Sequence, residues 1–112
     1  MKIAISSTGE DLNSVVTETF GRCPYFLIIY IDDKKIKEFK VVENTSVNQM
    51  KGAGISAAQI VAGRDVNAVI TGNIGPRALG VLKQFNIQIY KSTGLISEAT
   101  KKFIEGKLEE IK

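Results

Sequence analysis

Histidine and tryptophan are absent from the 112-residue chain, cysteine occurs once and proline twice. Without histidine the usual general base at neutral pH is missing, and so is the commonest metal ligand. The single thiol, Cys23, excludes an intrachain disulfide and suits a reducing compartment. One thiol with no imidazole also excludes a structural zinc site within the chain, a Ser-His-Asp triad and a Cys-His pair. No apolar run approaches the roughly 20 residues of a membrane helix. The longest, Tyr25 to Ile31, has strand length. Met1-Lys2-Ile3-Ala4-Ile5 leads into polar residues, without the apolar stretch and cleavage site of a signal peptide. A cytoplasmic protein with no membrane partner is therefore expected.

Lysine and arginine exceed aspartate and glutamate by enough to give a formal net charge of +3. Much of the excess is lysine near the C-terminus, interleaved with glutamate. That pattern reads as a solvated helix face rather than a nucleic-acid surface. A mild positive field still favours an anionic ligand. Length and an apolar fraction of 44% fit one globular domain with one real core.

Lys2 to Ser7 alternates with β-branched residues and reads as a first strand. Ser7 to Asp11 is turn chemistry. Leu12 to Thr19 has no clear period and reads as loop, with at most a helical turn. Pro24 breaks the chain again after Phe20-Gly21-Arg22-Cys23. Tyr25 to Asp32 is a strand covered on both faces. After the turn Asp33-Lys34-Lys35, Ile36 to Glu43 returns to complete a hairpin. Asn44 to Gln49 is polar loop. Gly52-Ala53-Gly54 opens a helix to about Gly63, with Ile55, Ala58, Val61 and Ala62 on one face. Ala68 to Thr71 is a buried strand. Pro76 suits the first position of a helix to about Gln84. Ile87 to Tyr90 is the last strand expected. Ile96 to about Ile111 reads as an amphipathic helix with Ile96, Thr100, Phe103, Ile104, Leu108 and Ile111 inward. A hairpin followed by alternating helices and strands means an α/β fold on a mixed sheet.

Ligands of open α/β sheets gather beyond the carboxyl ends of the parallel strands. Ser6 to Gly9, Gly72 to Pro76 and Ser92 to Gly94 should meet there. Each is rich in glycine or hydroxyls, and Gly75 leads into a helix start that favours anions. Gly52-Ala53-Gly54 is open to two readings, an N-cap with close packing or an anion contact. It is neither a Walker A loop nor a full dinucleotide fingerprint. Arg22, flanked by Gly21, is suited to grip an anion. Cys23 beside it is either a thiolate with a lowered pKa or a small buried hydrophobe. Glu10, Asp11, Asp32, Asp33 and Asp65 lie in separate turns, so no two-metal site is expected. These observations favour a binding protein over an enzyme.

Three segments together resemble a known family. They are Phe20-Gly21-Arg22-Cys23-Pro24-Tyr25-Phe26, then Gly52-Ala53-Gly54-Ile55 with Ala57-Ala58-Gln59, then Ala68 to Pro76. In order and spacing they are similar to the dinitrogenase iron-molybdenum cofactor-binding family, which includes NifX and the C-terminal region of NifB. The resemblance implies a ribonuclease H-like three-layer fold over residues 1–112, with a five-stranded mixed sheet and helices on both faces. It implies binding, storage or transfer of an iron-sulfur or molybdenum-sulfur cluster or precursor, by a carrier that meets cluster-assembly or acceptor proteins. Many relatives carry a histidine just before the Phe-Gly-Arg segment; here that position is Thr19.

The expected binding residues are Ser7, Gly21, Arg22, Cys23, Gly52, Gly54, Gly72, Asn73, Gly75 and Thr93, with Cys23 as metal ligand. The chain is expected to be a monomer or weak homodimer. A regulatory module for a nucleotide or phosphometabolite is the alternative from the same glycine loops. A ribonuclease H-like hydrolase is the alternative from the fold.

Overall fold

The apolar run predicted as a doubly covered strand lies second from one edge of a six-stranded sheet. A computed structural model describes residues 1–112. The strands are β1 (Lys2–Ser7), β2 (Tyr25–Asp32), β3 (Lys35–Glu43), β4 (Ala68–Thr71), β5 (Gln88–Lys91) and β6 (Glu109–Ile111); the helices are α1 (Ala53–Ala62), α2 (Pro76–Gln84) and α3 (Ile96–Ile104). Their order across the sheet is β3-β2-β1-β4-β5-β6. β1, β4 and β5 are mutually parallel, while β2 and β6 run against their neighbours.

Side-chain alternation divides the core in two. Ala4, Phe26, Ile28, Val69 and Ile89 face α1 and α2, meeting Ala57, Ala58, Val61, Ala78 and Leu82. Ile3, Ile5, Leu27, Ile29 and Ile70 face the other way, meeting Ile96 and Ala99 of α3. The small alanines let α1 lie close to the sheet. No helix is long and apolar enough to cross a membrane.

Three local features depart from the sequence reading. First, the hairpin turn is tighter than expected. Asp32 pairs with Lys35, and Asp33 and Lys34 both have positive φ (51° and 63°), as a two-residue type I′ turn requires. Second, the sheet has six strands, not five, because the last helix stops at Ile104. Gly106 takes φ +71°, its N–H bonds Phe103 O (3.0 Å), and the Lys107 N–H bonds Lys102 O (2.9 Å). This pattern is a Schellman stop. The chain then reverses, and Ile111 pairs with Ile89. Leu108 and Ile111 fit the helical period yet reach the core from beyond the stop.

The third departure concerns the loop predicted over Leu12 to Thr19. It opens with a single turn, the Ser14 N–H bonding Asp11 O (3.0 Å), and from Val15 on it is an extended strap, bridging Val16 to Ser7, Val15 to Leu95 and Thr19 to Asn73. Its backbone bonds run from Val16 N–H to Gly94 O (2.8 Å), Thr17 N–H to Ser6 O (3.0 Å) and Gly72 N–H to Thr17 O (3.0 Å). It therefore roofs the carboxyl ends of β1 and β4 and the turn after β5.

Candidate functional site

The roof moves the opening sideways, away from the strand ends and toward the starts of α1 and α2. Phe20 anchors its end. The ring is buried and packs against Phe26 with centroids 5.2 Å apart, and the Phe20 N–H bonds Asn73 O (3.0 Å). Gly21 then lies on Gly54 backbone to backbone, since a Cβ there would sit 2.9 Å from both Gly54 Cα and Gly54 N. A Cβ on Gly54 would in turn meet Ala78 Cβ at 3.4 Å. The first turns of α1 and α2 and the strap's end thus converge.

Between them is a cavity of about 380 Å³, walled by Thr19 to Arg22, by Ala53 and Gly54, and by Asn73 to Gly75. A second hollow of about 230 Å³ shares Phe20, Gly21, Gly54 and Gly75 and extends to Ile55, Arg77 and Ala78. The two together form one groove across both helix starts.

The groove's chemistry comes mostly from main chain. The first amide bonded within the α1 turn is Ser56, to Gly52 O (2.9 Å); in α2 it is Leu79, to Gly75 O (3.0 Å). The N–H groups of Ala53, Gly54 and Ile55, and of Arg77 and Ala78, therefore have no partner in the chain. Neither helix has a side-chain cap or an acidic residue in its first turn. No carboxylate lines either hollow. Each helix start contributes roughly half a positive charge. Two such ends, with the exposed Arg22 and Arg77 alongside, give the groove a positive field that favours an anion.

Arg22 serves the groove as a tie. Its Nη1 donates to Val47 O (2.9 Å) and to Gln49 O, fastening the loop after β3 beside the wall. Asn44 holds the same region from beneath. It is buried, and its amide donates to Cys23 O (2.8 Å) and Gly21 O (3.3 Å) while its carbonyl accepts from the Ser46 N–H (3.1 Å) and hydroxyl (2.6 Å). The sequence reading placed Asn44 only in a polar loop, because nothing local distinguishes it from its neighbours.

Cys23 requires a correction. Its side chain is fully buried, and its S–H donates to Phe20 O (3.2 Å). Burial pushes the thiol up to about 12, outweighing the lowering effect of the Asn44 hydrogen bond. The guanidinium that was to lower it is committed to loop carbonyls at the surface. Cys23 is a neutral core thiol, not a thiolate ligand on the groove. No three His, Cys, Asp or Glu side chains are placed so that they could hold a metal ion.

Of the other expected residues, Gly21, Arg22, Gly54, Asn73 and Gly75 line the groove. Gly52 stands next to it as the N-cap of α1, at φ +72°. Ser7 is buried under the strap, closing a turn with Gly9 (2.7 and 3.2 Å). Gly72 is also buried, because a Cβ there would lie 2.8 Å from Glu18 Cα and the carbonyls of Thr17 and Glu18. Thr93 sits in the turn after β5, on the far side of the strap, and lines neither hollow. The three strand-end loops therefore do not meet around one ligand. Ile55 and Arg77 went unrecognised as wall residues. Arg77 was readable, since Pro76 at the first helical position puts Arg77 at the second.

Residues 1–106 match the family described as dinitrogenase iron-molybdenum cofactor. An uncharacterized protein of Methanocaldococcus jannaschii, MJ0580, is 44% identical over 97% of this chain and 90% of its own length. The apo orange protein of Desulfovibrio gigas superposes with a TM-score of 0.89 at 27% identity, covering 98% of this chain and 92% of that one. A candidate NifB protein from Thermotoga gives 0.83 at 34% identity, covering 97% and 91%.

Proposed function

This chain belongs to the dinitrogenase iron-molybdenum cofactor family, and from that premise we propose that it binds and hands over a metal–sulfur cluster or precursor. The observation that carries the reading is the convergence of two uncapped helix starts on one acid-free groove. Metal–sulfur clusters are commonly anions whose sulfides accept hydrogen bonds. The free amides of Gly54, Ile55, Arg77 and Ala78 supply fixed donors, and the Asn73 amide and the Arg22 guanidinium add polar groups at the wall. The groove offers no thiolate, imidazole or carboxylate, so the cargo keeps its own ligands and is held without covalent bonds. That mode of retention suits a carrier, whose partners are a cluster-assembly protein and an acceptor.

The same reading takes the chain as one domain of the ribonuclease H-like class, with β6 added beyond the β3-β2-β1-β4-β5 set. It places the protein in the cytoplasm as a monomer or weak homodimer. A carrier role fits better than hydrolysis, since Glu10 with Asp11, Asp32 with Asp33, and Asp65 lie in three separate turns. Phosphate-bearing metabolites would use the same amide donors, so nucleotides serve as the competing ligands in the test.

The test is anaerobic reconstitution with iron, sulfide and tetrathiomolybdate, followed by desalting. A retained chromophore with stoichiometric metal and sulfide, weakened in Arg22→Ala, is expected. No retained metal, or stabilisation by nucleotides alone, sinks the reading.

A further inference from the structure

Positive charge also gathers at the other end of α1, away from the groove. Lys2 at the start of β1 pairs in register with Tyr30 of β2, and Lys40 of β3 lies diagonally across. Both ammonium groups sit over the Tyr30 ring, at 5.7 and 5.6 Å from its centroid. The turn after α1 closes the other side with Gly63, Arg64 and Asp65, leaving a cleft of about 190 Å³. Lys2, Lys40 and Arg64 form no ion pair, since the salt bridges of the molecule are Lys37–Asp32 and Lys107–Glu105. Glu38 stands opposite Tyr30 on β3 but does not line the cleft.

The ordinary explanation for cations here is the negative end of α1. That end amounts to roughly half a charge, and Asp65 adds one more, against three cations. An excess of about one and a half positive charges remains in a small polar cleft. No ion pair offsets it, and Glu38, on the same face of β3, stays outside the cleft.

We infer that this cleft is a second anion site, selective for a small tetrahedral oxyanion of the phosphate class. Two ammonium groups and a guanidinium fork match the separate oxygens of a dianion. Tyr30 already carries two lysines over its ring, so no free aromatic face is left in the cleft for a nucleobase to stack on. The inference is independent of the cluster-carrier reading, because no residue is shared between cleft and groove.

The test is titration of the full chain with inorganic phosphate at constant ionic strength, following backbone amide shifts. Saturating shifts at Tyr30 and at Gly63 to Asp65 are expected, weakened about tenfold or more in the double variant Lys40→Gln/Arg64→Gln. Both positions are exposed, and an unchanged spectrum elsewhere verifies the fold. Cleft shifts that are absent, stay linear with concentration, or persist unchanged in the double variant overturn the proposal. Saturating movement at Gly54 and Ala78 with none at the cleft amides places the anion in the groove and also overturns the proposal.

Discussion

The groove and the cleft lie at opposite ends of one helix, roughly 15 Å apart for its ten residues, and they present positive charge in different forms. At the groove the donors are main-chain amides of α1 and α2, fixed wherever the fold fixes the helices. At the cleft they are ends of long side chains that sample many rotamers and are screened by salt. The shape and main-chain donors of the first arrangement do not depend on which side chains surround it, but they are sensitive to anything that separates the segments. The second behaves the opposite way. The pair shows two ways in which a chain without histidine concentrates positive charge, one from main-chain geometry and one from side chains.

The contrast breaks most sharply at glycine. Gly21→Ala forces a methyl to within 2.9 Å of Gly54 backbone atoms. We expect a loss of about 1–3 kcal/mol in urea unfolding, with loss of metal retention. Asn44→Ala comes next. It strips the partner from Cys23 O and Gly21 O, so about 1–3 kcal/mol should be lost by the same measurement.

Cys23 gives a prediction with a defined sign. The fold raises its pKa from 9.0 to about 12, so it favours the neutral thiol. Its contribution is complete below about pH 9 and falls as pH rises toward 12, by up to about 1.4 kcal/mol per pH unit. Cys23→Ala should flatten that part of the stability profile relative to the parent while leaving cluster retention intact. Loss of retention in a folded Cys23→Ala protein would return the thiol to the site. At the far end, Gly63→Ala meets only ordinary contacts of 3.5 Å with φ at −67°. A change of less than about 1 kcal/mol is expected, with a stabilising sign. A large loss there would erase the distinction between the two ends.

The parts of this molecule that were readable in advance are those fixed locally. The unbroken run Tyr25 to Ile31 announced a strand covered on both faces, and Gly75-Pro76 marked a helix start that does wall the groove. The extended course of residues 15–19 was not readable within the loop expected there, because it comes from bonds to Ser6, Gly72 and Gly94 rather than from any period of its own. The sixth strand was hidden because Leu108 and Ile111 keep the helical spacing past Gly106. Cys23 was ambiguous for a similar reason. Adjacency to Arg22 in sequence says nothing about the guanidinium's partners, and those are loop carbonyls.

The contact between Gly21 and Gly54 has a lasting consequence. A hollow moulded in main chain keeps its outline when the surrounding residues drift, as long as those two positions stay bare. Substitution at Thr19, Asn73 or Arg77 can then retune the tenant's affinity without recasting the mould.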